Sequence, residues 1–191
     1  MFNINNLFTN ARSHKKYSAE PVDKSQLEEL YELTKMSPTA NNACPLRIVF
    51  VTTVDGMTSL ANLALGFNKE KTESAPAAAI LAYDIDYHEH FPFLAPHMSE
   101  PSPHASWPLE RRERFALQNA NIQAGFFLIA ARGLGLDCGP MAGFNATEVE
   151  SQFFDQSNWR YNFVVLLGKA DPGNLRPRAP RLAIETACRF S

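Results

Sequence analysis

The chain has 191 residues, 45% of them hydrophobic, and a formal net charge of −2. This composition predicts a globular protein with a single domain over 1–191 and excludes a disordered chain. The small net charge argues against nucleic acid or an anionic membrane as the main partner, because both require a dense positive field. No apolar run approaches the ~20 residues of a membrane span, and residues 1–10 lack the pattern of a secretory signal, so we expect a cytoplasmic protein.

Four elements are predicted in the first half of the chain. A capping-box spacing at Asp23, followed by apolar residues at helical intervals, predicts a helix over 24–35. The β-branched run over 47–53 predicts a buried strand. Apolar residues at helical spacing predict a second helix over 56–71. The run over 77–83 predicts a second strand, although its alanines also permit a helix.

The segment 87–108 has a different character, with five prolines and four histidines and no clean period. Loops of this length in a compact domain are typically functional lids or partly disordered segments. A zinc site formed by His88, His90, His97 and His104 is an alternative, since imidazole commonly ligates zinc. The loose histidine intervals and the intervening prolines favour exposed loop histidines, and we expect no metal.

The helix predicted over 109–133 has two faces. One face carries Phe115, Asn119, Ile122, Phe126 and Ile129; the other carries Ala116, Ala120, Ala124 and Ala131. Because small residues let another helix approach closely, the alanine face predicts a subunit contact.

The rest of the chain predicts a short helix capped by Thr147 and a third strand over 162–168. Strands separated by helices indicate two or three layers around a small sheet. Neither a Rossmann glycine motif after a strand nor a P-loop is present, and no G-x-S-x-G elbow occurs. Cys44, Cys138 and Cys188 are widely spaced and form no C-x-x-C pair, which is typical of reduced thiols.

Two basic clusters lie at opposite ends of the sequence. The first runs from Arg12 to Lys16, and the second is Arg176-Pro177-Arg178. Several cations and short donors are the groups that best hold a phosphate monoester. The two clusters are therefore suited to holding one anion from two sides, although solvated surface is the commoner role of such runs.

Four ordered motifs resemble those of the FMN-dependent nitroreductase family. They are Arg12-Ser13-x-Lys15-x-Tyr17, Pro38-Thr39-Ala40-Asn41-Asn42-x-x-Pro45, Phe67-Asn68-x-x-Lys71 and Pro140-Met141-Ala142-Gly143-Phe144. The resemblance spans almost the whole chain. It implies an α+β fold with three α/β/α layers, in which a central mixed, mainly antiparallel sheet is flanked by helices and a long central helix forms the dimer contact. The short length and the ending Arg178-Ala179-Pro180-Arg181-Leu182 are similar to the malonic semialdehyde reductase branch of the family.

The resemblance also implies which residues bind FMN. The phosphate and the ribityl or pyrimidine oxygens would be contacted by Arg12, Ser13 and Lys15, with Arg176 and Arg178 completing the phosphate grip. The loop that wraps the cofactor would contain Pro38, Thr39, Ala40 and Asn42. The pyrimidine edge would be reached by Asn68 and Lys71, which lie one helical turn apart. The isoalloxazine ring would be contacted by Pro140, Met141, Ala142 and Gly143, with the Gly143 backbone N–H near N5.

The activity implied by the resemblance is ping-pong hydride transfer through flavin N5. NADH or NADPH would be the donor, and the acceptor would be malonic semialdehyde, reduced to 3-hydroxypropanoate, or a nitroaromatic or quinone. No catalytic side chain is needed, because the cofactor carries the chemistry. The family also implies a homodimer with FMN at the interface. Ala11, Cys44 and Leu46 replace the usual Arg, Gln and Trp, and are consistent with the alternative of a flavin-binding or flavin-sequestering protein without efficient reductase activity.

Overall fold

The computed structural model describes residues 4–98, 101–155, 157–171, 173, 175 and 177–191. Within these residues the helices are α1 (Lys24–Thr34), α2 (Val54–Asn62), α3 (Asn68–Ser74), α4 (Phe91–Leu94), α5 (Leu109–Gly133), α6 (Ala146–Phe153) and α7 (Ile184–Ala187). The strands are β1 (Leu46–Val51), β2 (Ala77–Asp84), β3 (Asp137–Met141) and β4 (Trp159–Gly168). None of the helices in these described ranges combines the length and apolar character needed to cross a membrane.

The four strands form one sheet in the order β1-β2-β4-β3, with every neighbouring pair antiparallel. Ser13 adds a parallel bridge to Cys138 of β3, so the N-terminal segment extends that edge of the sheet. A mixed but mainly antiparallel sheet is therefore confirmed. As a result, the start of β3 lies beside the N-terminal segment at Ser13, and the end of β3 lies beside a different part of the chain.

Both faces of the sheet are covered, which gives three layers. Along β2, Ala78 and Ile80 join a core cluster with residues of α2 and α6. The alternate residues Ala79 and Leu81 join a second cluster with α1 and α5. Side chains alternate between the faces of a strand, so a strand buried on both faces appears in the sequence as a continuous apolar run. The predicted α/β/α layering is confirmed.

The alanine face of α5 packs inside the chain and the opposite face points outward, which is the reverse of the prediction. The side chains of Ala116, Ala120, Ala124 and Ala131 are buried within the chain, and most of them pack against the sheet. Their small size lets the helix approach its own sheet closely, so the prediction that they form a subunit contact is wrong. The outward side chains Ile122 and Phe126 are each 46% exposed and leave an apolar strip on the surface.

The helix predicted over 56–71 is broken into α2 and α3. Gly66 adopts a φ of +56°, which ends helical geometry between them. Leu65 N–H donates to the Gly143 carbonyl at 2.9 Å, and Asn145 N–H donates to the Leu63 carbonyl at 2.9 Å. The connection therefore pairs with the turn after β3. The cap of α6 is Asn145, whose side chain accepts from Glu148 N–H, and not Thr147 as predicted.

The segment 87–108 is packed rather than irregular in its described part. It contains the short turns Tyr87–His90 and Pro103–Ser106 on either side of α4. Tyr87 and Phe91 are fully or almost fully buried and form a third core cluster with Ala116 of α5. The role of this segment as a lid stays a prediction.

Candidate functional site

A cavity of about 400 Å³ lies between the N-terminal segment, the end of α5 and the C-terminal tail. Its lining consists of Phe8, Ala11, Arg12, Ser13, Arg132, Arg178, Ala179 and Arg181. Four of these residues are arginines, and none of the lining residues is acidic. Guanidinium groups with a neighbouring hydroxyl form charge-assisted hydrogen bonds to phosphate, so the cavity is suited to a phosphate-sized anion.

Backbone carbonyls of the N-terminal segment hold two of these arginines. The Arg178 Nη2 donates to the carbonyls of Thr9 and Ala11 at 2.7 and 2.6 Å. The Arg132 Nη1 donates to the Leu7 carbonyl at 2.8 Å. Within the described part of the chain, the buried Arg132 Nε has no hydrogen-bond partner. A buried donor without an acceptor is costly, which suits a site that receives an anion.

The structure brings the two ends of the sequence together at this cavity, since Arg12 and Ser13 face Arg178. Arg176 lies outside the described residues. Lys15 is exposed and is not part of the lining. Sequence reasoning missed Arg132 and Arg181; the available signal for Arg132 was a basic residue in the last turn of α5, which usually indicates a helix terminus.

A second cluster lies at the other end of β3, around Gly143. The Asn68 Nδ2 donates to the Gly143 carbonyl at 3.2 Å, and Lys71 Nζ donates to Asn68 Oδ1 at 3.1 Å. A Cβ atom on Gly143 would lie 2.5 Å from Asn68 Nδ2, so a larger residue here would displace the Asn68 amide. Asn68, Lys71 and Gly143, which the sequence analysis selected from separate motifs, are thus in contact.

Tyr161 of β4 fixes the peptide group that precedes Gly143. Its Oη donates to the Ala142 carbonyl at 3.2 Å, and Phe144 N–H donates to the same oxygen at 2.9 Å. In a planar trans peptide the N–H points away from the C=O, so the Gly143 N–H is directed to the opposite side. Burial raises the pKa of Tyr161 to about 12, which keeps the hydroxyl protonated as a donor. Sequence reasoning did not select Tyr161.

The cavity and the Gly143 cluster lie along one edge of the sheet. Ser13 bridges Cys138 near the start of β3, and Gly143 follows just after its end. At ~3.3 Å per residue the two are separated by roughly 16 Å. Along this edge Pro140 and Ala142 are exposed, while Met141 is half-buried. We call the cavity, the Gly143 cluster and the β3 edge between them the β3 half-site.

The loop of residues 38–42 lies elsewhere. Ala40 N–H donates to Asn119 Oδ1 of α5 at 2.7 Å, and Asn42 Nδ2 donates to the Leu94 carbonyl at 2.8 Å. Thr39 Oγ1 accepts from Cys44 N–H at 3.1 Å. Pro38, Ala40 and Asn42 are exposed. We call residues 38–42 the loop half-site.

The two half-sites are well separated within one chain. Asn119, which holds the loop, and Arg132, which lines the cavity, are thirteen residues apart on α5. At 1.5 Å per residue this corresponds to ~20 Å. The loop precedes β1, whereas the cavity adjoins β3, and these strands form opposite edges of the sheet. The sequence motifs therefore assemble into two groups and not one.

The histidines of the segment 87–108 are dispersed. His104 is buried among aromatic rings, His88 lies 3.4 Å from an Arg112 nitrogen, and His97 is exposed. Over the described ranges, no group of three or more His, Cys, Asp or Glu side chains is arranged to hold a metal ion.

An antiparallel sheet between two helical layers, with an arginine-lined cavity and a tight glycine turn along one edge, defines an α+β protein of three layers. The chain belongs to the nitroreductase family: the model of the "Nitroreductase family" matches residues 9–169.

Relatives and solved structures agree with this assignment. A protein of Leptothrix cholodnii named "Putative NADH dehydrogenase/NAD(P)H nitroreductase" is 45% identical over 185 residues, covering 97% of this chain and 94% of the relative. A similarly named protein of Ralstonia nicotianae is 42% identical over 97% of this chain and 95% of its own length. The fold is similar to that of a nitroreductase family protein from Streptococcus pneumoniae, with a TM-score of 0.85 at 22% identity, covering 99% of this chain and 100% of that one. It is also similar to a "putative nitroreductase in complex with FMN" from Exiguobacterium sibiricum, with a TM-score of 0.86 at 17% identity, covering 100% and 98%.

Proposed function

We propose that this protein is an FMN-dependent NAD(P)H oxidoreductase that works as a homodimer. The observation that carries the proposal is the arginine-lined cavity at one end of the β3 edge, with the Lys71, Asn68 and Gly143 cluster at the other. FMN combines a phosphate, which suits the arginine-lined cavity, with a planar ring, which suits the Gly143 cluster. The FMN complex of the Exiguobacterium protein and the NAD(P)H in the relatives' names support the same cofactor and donor.

The residues of the cavity fit the phosphate. Arg12, Arg132 and Arg178 supply fixed positive charge, and Ser13 adds a hydroxyl donor. The unpartnered Arg132 Nε is desolvated, and a nearby anion would offset that cost. Ala11, where the family usually has arginine, lies beside Arg178, which donates to the Ala11 carbonyl. The charge missing at position 11 is thus supplied from the C-terminal tail.

The residues around Gly143 fit the ring. When bound, FMN supplies the hydride chemistry, taking two electrons from NADH or NADPH and passing them to an acceptor. The Lys71 ammonium places positive charge beside Asn68, where a reduced flavin ring would carry negative charge. Tyr161 fixes the Ala142–Gly143 peptide so that the Gly143 N–H has one orientation. Gly143 has no Cβ and keeps this turn compact.

A second copy of the chain would unite the two half-sites. The separation of roughly 20 Å along α5 supports a cofactor that contacts the β3 half-site of one chain and the loop half-site of the other. The exposed Ile122 and Phe126 of α5 supply an apolar surface for the contact. Residues 182–191, which follow the part of the tail that lines the cavity, are exposed, and β1 is an edge strand, so this last segment is available to pack on a partner.

The proposed acceptor is a small aldehyde such as malonic semialdehyde, reduced to 3-hydroxypropanoate, or a nitroaromatic or quinone. The resemblance of the short chain and of its ending 178–182 to the malonic semialdehyde reductase branch supports the aldehyde, and the relatives' names support nitro compounds. We also place the protein in the cytoplasm, because the free thiols Cys44, Cys138 and Cys188 suit a reducing compartment.

The alternative is a flavin-binding protein without efficient reductase activity. Cys44 and Leu46, which replace the family's Gln and Trp beside the loop half-site, are the observation that favours it. Both functions predict a yellow protein, so the discriminating property is electron transfer.

The test is anaerobic double-mixing stopped-flow absorbance of the FMN-loaded protein at ~450 nm. NADH or NADPH is added first, and then malonic semialdehyde, a nitroaromatic or a quinone in parallel runs. The proposal expects rapid bleaching followed by recovery with one of these acceptors. Bleaching no faster than that of free FMN would instead support the flavin-binding alternative. Failure to take up FMN would contradict both functions.

A further inference from the structure

The loop half-site has a strained backbone that is held by hydrogen bonds to other elements of the chain. Asn41 and Asn42 adopt φ values of +57° and +52°, a left-handed region that asparagine tolerates only at some cost. The three consecutive residues Ala40, Asn41 and Asn42 are anchored to α5, to the Pro103–Ser106 turn and to α4, respectively. The segment 87–108 thus supplies two of the three anchors.

The middle anchor is an imidazole. Asn41 Nδ2 lies 3.3 Å from His104 Nε2, and Tyr87 Oη lies 2.9 Å from His104 Nδ1. Because an amide nitrogen can only donate, Nε2 must accept from Asn41, and the ring proton then resides on Nδ1 and is donated to Tyr87. One neutral tautomer satisfies both contacts. A proton on Nε2 would set two donors against each other.

The surroundings of His104 disfavour that proton. The residue is 3% exposed, and its ring stacks on Trp107 with centroids 3.7 Å apart. The edges of Phe91 and Phe115 enclose the ring further. The titratable or charged groups that face it are Tyr87 and His88 from one turn and Arg111 from α5. Burial, with His88 and Arg111, lowers the pKa of His104 below its usual value.

We propose that neutral His104 is a positioning residue for the cofactor site, holding Asn41 and thereby residues 38–42 in the conformation that contacts FMN in the partner chain. The inference rests on the proposed function. It gives the segment 87–108 a role distinct from that of a lid, since the segment anchors the loop half-site through a contact that acid breaks.

The first test measures the dissociation constant of riboflavin, which lacks the phosphate that titrates at about pH 6 in FMN, for the wild-type protein and three variants at about pH 7.5 and about pH 5. For the wild type we expect affinity to weaken about three- to tenfold in acid, the range for one lost hydrogen bond. H104Q provides a carbonyl that accepts from Asn41 and does not titrate. It should bind riboflavin within about twofold of wild type at neutral pH and show no acid weakening.

Two further variants allow the test to decide the question even if H104Q disturbs the aromatic cluster. N41G retains the left-handed backbone and removes only the side chain, so it should bind about three- to tenfold more weakly at neutral pH and also lose the acid response. H97Q removes an exposed histidine of the same segment and should retain the acid response of the wild type. An acid response that persists in H104Q or N41G overturns the proposal.

The second test needs no flavin. In the full chain without added cofactor, NMR resonances of the backbone amides of Ala40, Asn41 and Asn42 should shift with the same pH midpoint as the His104 imidazole. Loop amides that do not follow His104 would refute its positioning role. If the wild type binds no FMN, the proposed function fails, but this measurement still decides whether His104 holds the loop.

Discussion

Tyr161 donates a hydrogen bond to the Ala142 carbonyl at 3.2 Å, and together with the Phe144 N–H it orients the peptide group whose N–H belongs to Gly143. The tyrosine lies on β4, and Ala142 follows β3, so the sheet itself aligns the donor and acceptor. The half-buried phenol has two features that suit this role. It resists ionisation, and its rigid ring transmits the position of the strand to the turn.

The first prediction concerns Y161F, which removes only that hydroxyl. We expect flavin reduction by NADH to slow about three- to tenfold, because the peptide loses one fixing hydrogen bond, while FMN affinity changes less than about twofold. Stopped-flow reduction and flavin-fluorescence titration measure the two quantities. Y31F, which alters an exposed tyrosine on α1, is the matched control. Equal reduction rates in Y161F and wild type would contradict this role.

The second prediction concerns the close approach at Gly143. G143A places a Cβ 2.5 Å from Asn68 Nδ2, so the Asn68 side chain must move and its hydrogen bond to the Gly143 carbonyl is disturbed. We expect the free energy of unfolding to fall by about 0.5–1.5 kcal/mol and FMN binding to weaken. G133A, where the added atom meets nothing within 4 Å, should change stability by less than about 1 kcal/mol. Urea denaturation of the two variants gives the comparison, and equal stabilities would argue against a tight Gly143–Asn68 contact.

The third prediction separates phosphate binding from ring binding. R132Q removes a guanidinium from the cavity and should weaken FMN binding about 10- to 100-fold, as expected for a lost charged hydrogen bond. Riboflavin, which lacks the phosphate, should bind the variant and the wild type within about twofold of each other. K24Q removes the same charge from an exposed position on α1 and should leave both affinities unchanged. A parallel loss of riboflavin affinity would mean that Arg132 acts through the fold.

The fourth prediction is an alkaline loss of stability caused by Cys138. Burial raises the pKa of this thiol to about 12. Above about pH 8.5 the unfolded chain releases this proton while the folded chain retains it, so stability falls as pH rises towards the folded value. At about pH 10 the thiol should reduce the free energy of unfolding by about 1–2 kcal/mol relative to neutral pH.

Urea denaturation of flavin-free C138A and C188A at both pH values isolates this contribution. C138A should lose about 1–2 kcal/mol less than wild type on going to alkaline pH, and C188A, which alters an exposed thiol, should behave as wild type does. Identical alkaline losses in all three proteins would show that Cys138 does not keep its proton in the folded state.

Strong local patterns in the sequence were sufficient to predict much of the fold. The apolar period of α5 and the buried runs of β2 and β4 predicted those elements because their side chains pack on one or both faces of the core. β3 was missed because Gly139 and Pro140 are poor strand formers, and its stability comes from pairing with β4. The break at Gly66 depends on hydrogen bonds to the distant residues Gly143 and Asn145, which no local pattern reports.

The candidate site was predictable to the extent that motifs carry it. The family motifs selected Arg12, Asn68, Lys71 and Gly143, and the structure groups these residues along the β3 edge. Arg132 and Tyr161 were missed because each is a single residue in an ordinary helix or strand, and only the tertiary fold brings it to the site. The outward side of α5 was also misjudged, since small side chains suit packing on a sheet as well as on a helix.

The central claim is that a flavin-reducing site forms only where the β3 half-site of one chain meets the loop half-site of another. The most direct measurement uses a purified heterodimer of two differently tagged chains, one carrying K71E and the other carrying A40W, with each homodimer as a control. Because the dimer is two-fold symmetric, one of its sites combines the two altered half-sites and the other combines the two intact half-sites. We predict inactive homodimers and a heterodimer with about half the wild-type rate of NAD(P)H-dependent flavin bleaching. An inactive heterodimer that still assembles would contradict the claim, because each chain would then build its site alone.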